Sequence, residues 1–395
     1  LMMLSFSISR DYLPDPSKLM RPFFELISKG AGKLISHSWK GEFDPSSDSI
    51  NLYLNTLANF ILALIICSFW MVLDKQKNKG KLFYWMTTTA RYYLAFQLLI
   101  FGFNKLFKWQ FYFPEPNILF TQVAELDKEM IYWTAMGYSR AYSVFTGSLE
   151  LLAALLLLFR RTSFAGALLA IAVMTNVVAI NFCFDISVKL FSMFLLLLSF
   201  ISLSPNFNRI KSVLSGKSYG KVETQFPAFN FKLHILIKTI LILLLFGEAI
   251  QPYISSGNYN DDESYKPPLY GAWKVITFVK NGDTIPPLLT ETERWRKVFF
   301  NRSGYFIYQN MEDEMYDNDM DFNESKKQID LISTDSTLSF FSYREHADSL
   351  FLDGYFRNDS VNIVLKEIDL NYLPANSHKL NSFHWTIDSY YDNFK

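Results

Sequence analysis

The 395-residue chain is 50% hydrophobic and 17% aromatic, with 38 phenylalanines, which is high for a soluble enzyme. Its formal net charge is zero, so no overall field draws it to nucleic acid. Cys67 and Cys183 both lie in apolar runs, and no CxxC, Cys/His cluster or HExxH helix occurs. A disulfide framework and a metal site of standard spacing are therefore not expected.

The balanced charge hides a split between an apolar first two thirds and a polar, acidic last third. Residues 1–51 read as an extracytoplasmic or interfacial segment. It opens "LMML", and the short apolar piece Leu1 to Ile8 reads as the tail of a span or signal. The stretch "RPFFELISKGAGKLI" reads as an amphipathic helix on the membrane surface.

Residues 52–251 read as the membrane domain. A bilayer core takes roughly 20 apolar residues as a helix. Six runs meet that rule: Leu52–Leu73, Phe83–Phe107, Tyr142–Leu158, Phe164–Phe182, Val188–Leu203 and Leu233–Ile250. The second is the most polar, carrying Arg91, Gln97, Asn104 and Lys105. The basic loops "DKQKNKGK", "RRT" and "NRIKSVLSGKSYGKVETQ" fall on one side, assigned to the cytoplasm. The chain after Gln251 then lies outside, as does the segment before Leu52, which requires a preceding span or a cleaved signal.

In the second run, Arg91, Leu98, Gly102, Lys105 and Trp109 share one helical face. Lys105 lies near the outer end, within snorkelling reach of water. Arg91 sits deeper, and Glu150 in "GSLELLAALLLL" lies at a similar counted depth. An Arg91–Glu150 pair is expected, either as a structural ion pair or as a polar pocket or proton site. Asn176, Asn181, Asp185 and Lys189 gather toward the outer face, where Lys105 would join them in a polar mouth. Asp185 also reads as a helix cap with Lys189 at i+4.

The block "RYYLAFQLLIFGFNKLF" together with "MGYSRAYSVFTGSLELLAALLLLFRRTSFAGALLAIAVMTNVVAINFCFDISVKLFS" resembles the DoxX-like family of membrane proteins. The resemblance rests on Arg91 opening a helix, Gly102 followed by Lys105, and Gly147 with Glu150. It implies a four-helix membrane core plus flanking spans. The whole chain is similar to large Bacteroidota-type members with an extracytoplasmic tail. Some relatives are linked to thiosulfate oxidation and quinone reduction.

A linker covers 252–269, and from about residue 270 the pattern changes to short alternating runs. "GAWKVITFV", "RWRKVFF", "YFIYQ", "KKQIDLIS", "TLSFFSY", "SLFLDGYF", "VNIVLKEI" and "FHWTIDSY" predict about eight antiparallel strands in a barrel or meander over 270–395. Asn281-Gly282 marks a hairpin. The acidic stretch "NMEDEMYDNDMDFNE" reads as a solvated loop. Gly271-Ala272-Trp273 resembles the Gly-x-Trp of lipocalin-like barrels, a structural motif in which Trp273 would plug the barrel base.

The reading is thus an α-helical membrane bundle followed by a lipocalin-like β domain on the periplasmic side of a bacterial inner membrane. No catalytic constellation is legible, which favours a non-enzymatic envelope binding or accessory subunit. Quinone-linked oxidoreductase subunit and small-molecule transporter are the alternatives. No cofactor is required by this reading; quinone or lipid is compatible with it. Membrane lipid and other envelope subunits are the expected partners, with no nucleic acid.

Overall fold

A computed structural model describes residues 48–73, 79–216, 231–302 and 304–370, together with positions 22–23, 25–26 and 29–30. The chain divides into two compact units. One comprises Leu1–Phe111 and Tyr142–Asp261, the other Tyr112–Ala141 and Asp262–Lys395. The chain therefore passes between the units three times.

The first unit is helical. Its long helices are α1 (Ile50–Leu73), α2 (Lys79–Leu106), α5 (Arg140–Leu158), α6 (Ser163–Cys183), α7 (Lys189–Leu203) and α9 (Phe231–Ser256), with a short α8 (Phe207–Leu214). Among the described residues, five helices are long and apolar enough to cross a membrane: α1, α5, α6, the α7 segment and the α9 segment. The surface of α1 makes the membrane reading concrete. Leu57, Phe60, Ile61, Leu64, Ile65, Phe69 and Trp70 are all exposed, an apolar helix surface that only lipid would solvate well. The protein is a multi-pass membrane protein.

Helix α2 is the most polar of the six and also the most enclosed. Leu94, Ala95, Leu98 and Leu99 are fully buried, and the core of the unit runs along them with Ala153, Ala154, Leu157, Ala167, Ala170 and Leu195. Neighbouring helices enclose the second half of α2, from about Leu94 onward, so that half tolerates a polar face that a peripheral helix would not.

Side-chain bonds identify the two ends of this unit. At one end, Tyr253 Oη donates to Asn104 Oδ1 and Trp109 Nε1 donates to Asn258 O. The Asp48 carboxylate there accepts from Lys189 N and Leu190 N, at 2.6 and 3.2 Å. At the other end, Lys238 lies over the Phe159 ring and Arg209 over the Phe164 ring. The cap of α7 thus comes from Asp48 rather than Asp185, whose backbone is left-handed at φ 56°. Most of the stretch 21–35 lies outside the described residues, though positions 22–23, 25–26 and 29–30 are helical.

The second unit contains the β domain. Its long strands are β1 (Gly271–Lys280), β3 (Trp295–Phe300), β4 (Tyr305–Asn310), β5 (Met315–Asn323), β6 (Gln328–Ser333), β7 (Leu338–His346), β8 (Ser349–Phe356) and β9 (Asp359–Ile368). Each pairs antiparallel with the next, and β9 returns to β1 from Ala272↔Ile368 to Lys280↔Val361. Closure leaves no free edge among these eight strands. The two-residue β2 (Asp283–Thr284) continues from β1 through Asn281 and Gly282, both at positive φ, as an Asn-Gly hairpin requires.

One expectation is corrected here. Residues 315–323, read as acidic loop, form strand β5. Asp317, Asp319 and Asp321 point outward, while Asn318, Met320 and Phe322 turn inward, giving the period of two that a barrel wall needs. The predicted strand "FHWTIDSY" falls outside the described residues.

The segment after the second span also differs from a plain loop. It forms α3 (Pro116–Phe120) and α4 (Lys128–Tyr138) and belongs to the barrel unit. Pro116 occupies the first turn of α3, where its missing N–H costs nothing. Asp127 caps α4 by accepting from Met130 N at 2.6 Å. Phe120 packs tilted against Phe299 with centroids 5.6 Å apart, alongside Ala272 and Ile307. This explains why β3 and β4 bury both faces.

Large side chains fill the barrel. Trp295 is the hub, stacked on Tyr308 at 4.5 Å and edge-on to Phe356 at 4.9 Å, with Phe278, Phe306 and Phe341 around it. Trp273 is buried and donates its indole N–H to Leu269 O at 2.9 Å. Gly271 precedes it with φ 146°. Arg294 is buried too, donating to the carbonyls of Ile285, Trp295 and Ile276.

Candidate functional site

The residues best placed for chemistry inside the helical unit lie where α2 meets α5. Each helix contributes a glycine followed three residues later by a charge: Gly102 and Lys105, Gly147 and Glu150. A Cβ on Gly147 would lie 2.8 Å from Gly102 O and 2.8 Å from Lys105 Cβ. A Cβ on Gly102 would lie 2.6 Å from Leu151 Cγ and 3.0 Å from Gly147 O. The backbones therefore touch at this crossing, and only glycine allows it.

Lys105 Nζ reaches Glu150 Oε1 at 2.5 Å, and both side chains are buried. Ser143 Oγ donates to Lys105 O at 3.1 Å, tying the helices one turn away. The Lys105 ammonium also lies 5.9 Å from the Phe101 ring centre. The second carboxylate oxygen, Glu150 Oε2, is buried and accepts no hydrogen bond among the described residues. The pair carries no net charge, which is what makes it tolerable at this depth.

This geometry revises two expectations. Lys105 does not snorkel toward water. A helical side chain leaves its Cα tilted toward the helix N-terminus, which on α2 points into the unit and toward Glu150. Nor does Arg91 pair with Glu150. From the Gly102–Gly147 crossing, Arg91 lies about 16 Å along α2, whereas Glu150 lies about 5 Å along α5. Counting depth from the ends of the apolar runs missed this stagger. The Arg91 guanidinium instead sits 5.2 Å from the Tyr92 ring centre, with Nε buried and unbonded among the described residues.

The remaining sequence candidates do not assemble with this pair. Asn181 is buried and its Nδ2 has no partner among the described residues, whereas Asn176 is exposed. Lys189 Nζ approaches Asp185 Oδ1 at 4.0 Å, the expected i,i+4 pair at its outer limit. Lys105, spent on Glu150, does not join them. Residues that sequence reasoning passed over include Ser143, Asp48 and the Asn104–Tyr253 bond. The four-residue spacing of Ser143 and Gly147 was the one available signal, since it puts both on the face of Glu150.

A second polar knot lies within the barrel unit. Arg302 Nε is 2.6 Å from Glu115 Oε1, and its guanidinium lies 4.4 Å from the Tyr112 ring centre. Asn301 Nδ2 donates to Asn117 Oδ1, and Phe113 N donates to Asp262 Oδ1. Burial raises the Glu115 carboxyl above its ordinary range, partly offset by Arg302. Burial, reinforced by the Glu115 charge, pushes the Tyr270 phenol up to about 12. Every charge here has a protein partner, so the knot reads as the fastening of 112–117 to the barrel. Among the described residues, no group of three His, Cys, Asp or Glu side chains is arranged to hold a metal ion.

The outside of the barrel carries a different feature. Ile332 pairs with Leu338, and Phe340 with Tyr355, all four outward and exposed. Leu338 is 70% accessible, and the Phe340 and Tyr355 rings lie 5.3 Å apart. Asp319, Asp321 and Asp330 border this quartet, with Asp321 directly opposite Asp330.

The chain is similar to an uncharacterized protein, YwoB, of Bacillus subtilis (strain 168). The two are 39% identical over 115 residues, which are 29% of this chain and 73% of that protein. No family model and no solved structure matches the chain.

Proposed function

Since the chain belongs to the family of YwoB, whose own role is uncharacterized, we propose a function argued from its residues. It is a non-enzymatic envelope subunit, in which a DoxX-like helical bundle in a bacterial inner membrane carries a recognition barrel on the periplasmic side. The observation that carries this reading is the barrel's inversion of use. Its interior is filled by Trp295, Phe300, Phe306 and Phe341, while Ile332, Leu338, Phe340 and Tyr355 form an apolar row outside. A contiguous exposed apolar patch on an extramembrane domain favours binding to another protein. Asp321 facing Asp330 is a like-charge pair that weakens the sheet, and a cationic partner would relieve it.

The test is a photocrosslinking residue in place of Phe340, in the full chain in its native envelope. A defined protein adduct, lost when Leu338→Asp is added, supports the reading. An adduct profile identical to that of a control position such as Asp283 overturns it.

One observation favours a second reading. Glu150 presents a buried, unbonded oxygen beside an ammonium, the kind of group that would accept a hydrogen bond from a quinol or hold a transferable proton. A stoichiometric quinone in the gently extracted protein, absent from Glu150→Gln, would favour a quinone-linked subunit over the accessory role.

A further inference from the structure

The outer wall of β5–β8 is ordered across the strands. Cross-strand register sets two parallel rows there. One runs Asp321, Asp330, Phe340, Tyr355 from β5 to β8, and the other Asp319, Ile332, Leu338 from β5 to β7. All seven residues are exposed. Each row therefore begins in carboxylate and ends in apolar surface. Asp319, Asp321 and Asp330 form no ion pair among the described residues, and Asp330 accepts a hydrogen bond from the neutral Gln328 Nε2 at 2.9 Å. Asp353 on the same wall is different, since Arg344 Nη2 neutralises it at 2.7 Å.

This order bears on what covers the face. An anionic membrane surface would repel the three aspartates. A second copy meeting it through the same face would set aspartates against aspartates. Each of these four strands is paired on both sides, so strand addition has no edge to use. An extended chain lying on the wall would find side chains only and leave its own backbone groups unpaired, whereas a helix satisfies its own.

We propose, on the recognition-barrel reading above, that this face binds a cationic amphipathic helix of a partner protein, laid across the strands with its N-terminal turn over Asp319, Asp321 and Asp330. Neighbouring strands lie about 4.8 Å apart, which sets β7 roughly 10 Å from β5. Seven residues of helix span the same roughly 10 Å. Lysine or arginine in the first turn meets the aspartates, and apolar residues two turns later cover Leu338, Phe340 and Tyr355. The positive end of the helix dipole, set over the carboxylates, fixes the direction.

The test places a photocrosslinking residue at Ser342, or separately at Asp317, in the full chain in its native envelope, and maps the partner segment by mass spectrometry. The expected adduct is one segment with basic residues followed, about seven positions on, by apolar residues at helical spacing. The crosslinker at Asp317 should label its N-terminal part and that at Ser342 its later part. Adduct yield should fall roughly fivefold when Asp321→Asn and Asp330→Asn are combined and stay unchanged in the control Asp283→Asn. The melting transition of the combined variant should meanwhile rise, because two like charges directly opposite each other are gone. That rise separates lost recognition from lost folding. An unchanged yield in the combined variant, a mapped segment without basic residues, the reverse labelling order or a second copy of the chain as the adduct overturns the helix and leaves the recognition barrel standing. No protein adduct at either position overturns both.

Discussion

Lys105 meets Glu150 because Gly102 meets Gly147. The ion pair and the glycine contact are two levels of one crossing: close backbones bring the charges within a single hydrogen bond, and the bond closes the crossing. A polar pair and a small-residue contact, usually treated as separate devices of membrane packing, are here interdependent.

That dependence is measurable. Lys105→Met and Glu150→Gln should each destabilise the detergent-extracted protein by roughly 3 to 5 kcal/mol, because each strands a buried charge. The double variant should regain most of the loss. Circular-dichroism melts of the four proteins form the cycle, and simple additivity would show that the two side chains do not interact.

The glycine contact gives a separate expectation. Gly147→Ala adds a carbon 2.8 Å from Gly102 O, so the helices must separate. A loss of roughly 1 to 3 kcal/mol is expected. Ala153 and Ala154 on the same helix provide the comparison: replacing Ala154 by Gly should leave the Lys105–Glu150 coupling energy intact, whereas Gly147→Ala should abolish it.

Residues 112–141 should be needed for a stable barrel. Without α3, Phe299 and Ile307 lose their cover. Phe120→Ala should lower the barrel's urea midpoint by an amount worth roughly 2 kcal/mol, about half of a full core Phe deletion because Phe120 is itself only half-buried. A fragment spanning 262–370 should aggregate, and one restoring 112–141 should not.

Tyr270 predicts alkaline behaviour. Its folded-state pKa lies above its ordinary value of 10.0, at about 12, so the folded state disfavours the phenolate. The associated stability is complete below pH 10 and is lost as pH rises toward 12. Wild type should therefore lose on the order of 2 kcal/mol more than Tyr270→Phe across that window. Parallel losses in the two proteins, followed by denaturant melts, would remove Tyr270 from the cause.

The helices were legible because length and apolarity are local properties. All six long helices overlap the six apolar runs, and the polar face of α2 was visible in the spacing of Leu98, Gly102 and Lys105. The partner of Glu150 was not legible, because it depends on the stagger between two helices, and that is set by a contact between residues 45 positions apart. Strand β5 was hidden by composition. Its aspartates occupy every second position, but their number made the stretch look solvated on all sides. Helices α3 and α4 were missed for another reason. They are short, at 5 and 11 residues, and the strands that α3 covers lie far along the chain.

The packing of Phe120 against Phe299 also sets a timetable. The two residues are separated by 179 positions, so at cellular synthesis rates roughly 10 to 40 seconds pass between their appearances. During that interval Phe120 has nothing to rest against, and the intervening spans are still being made. A chain built in this order favours a holding chaperone, or the lipid surface itself, as a temporary companion for the first crossing. Slowing translation between residues 141 and 295 would lengthen the exposed period, and proteolysis near residue 120 would report it.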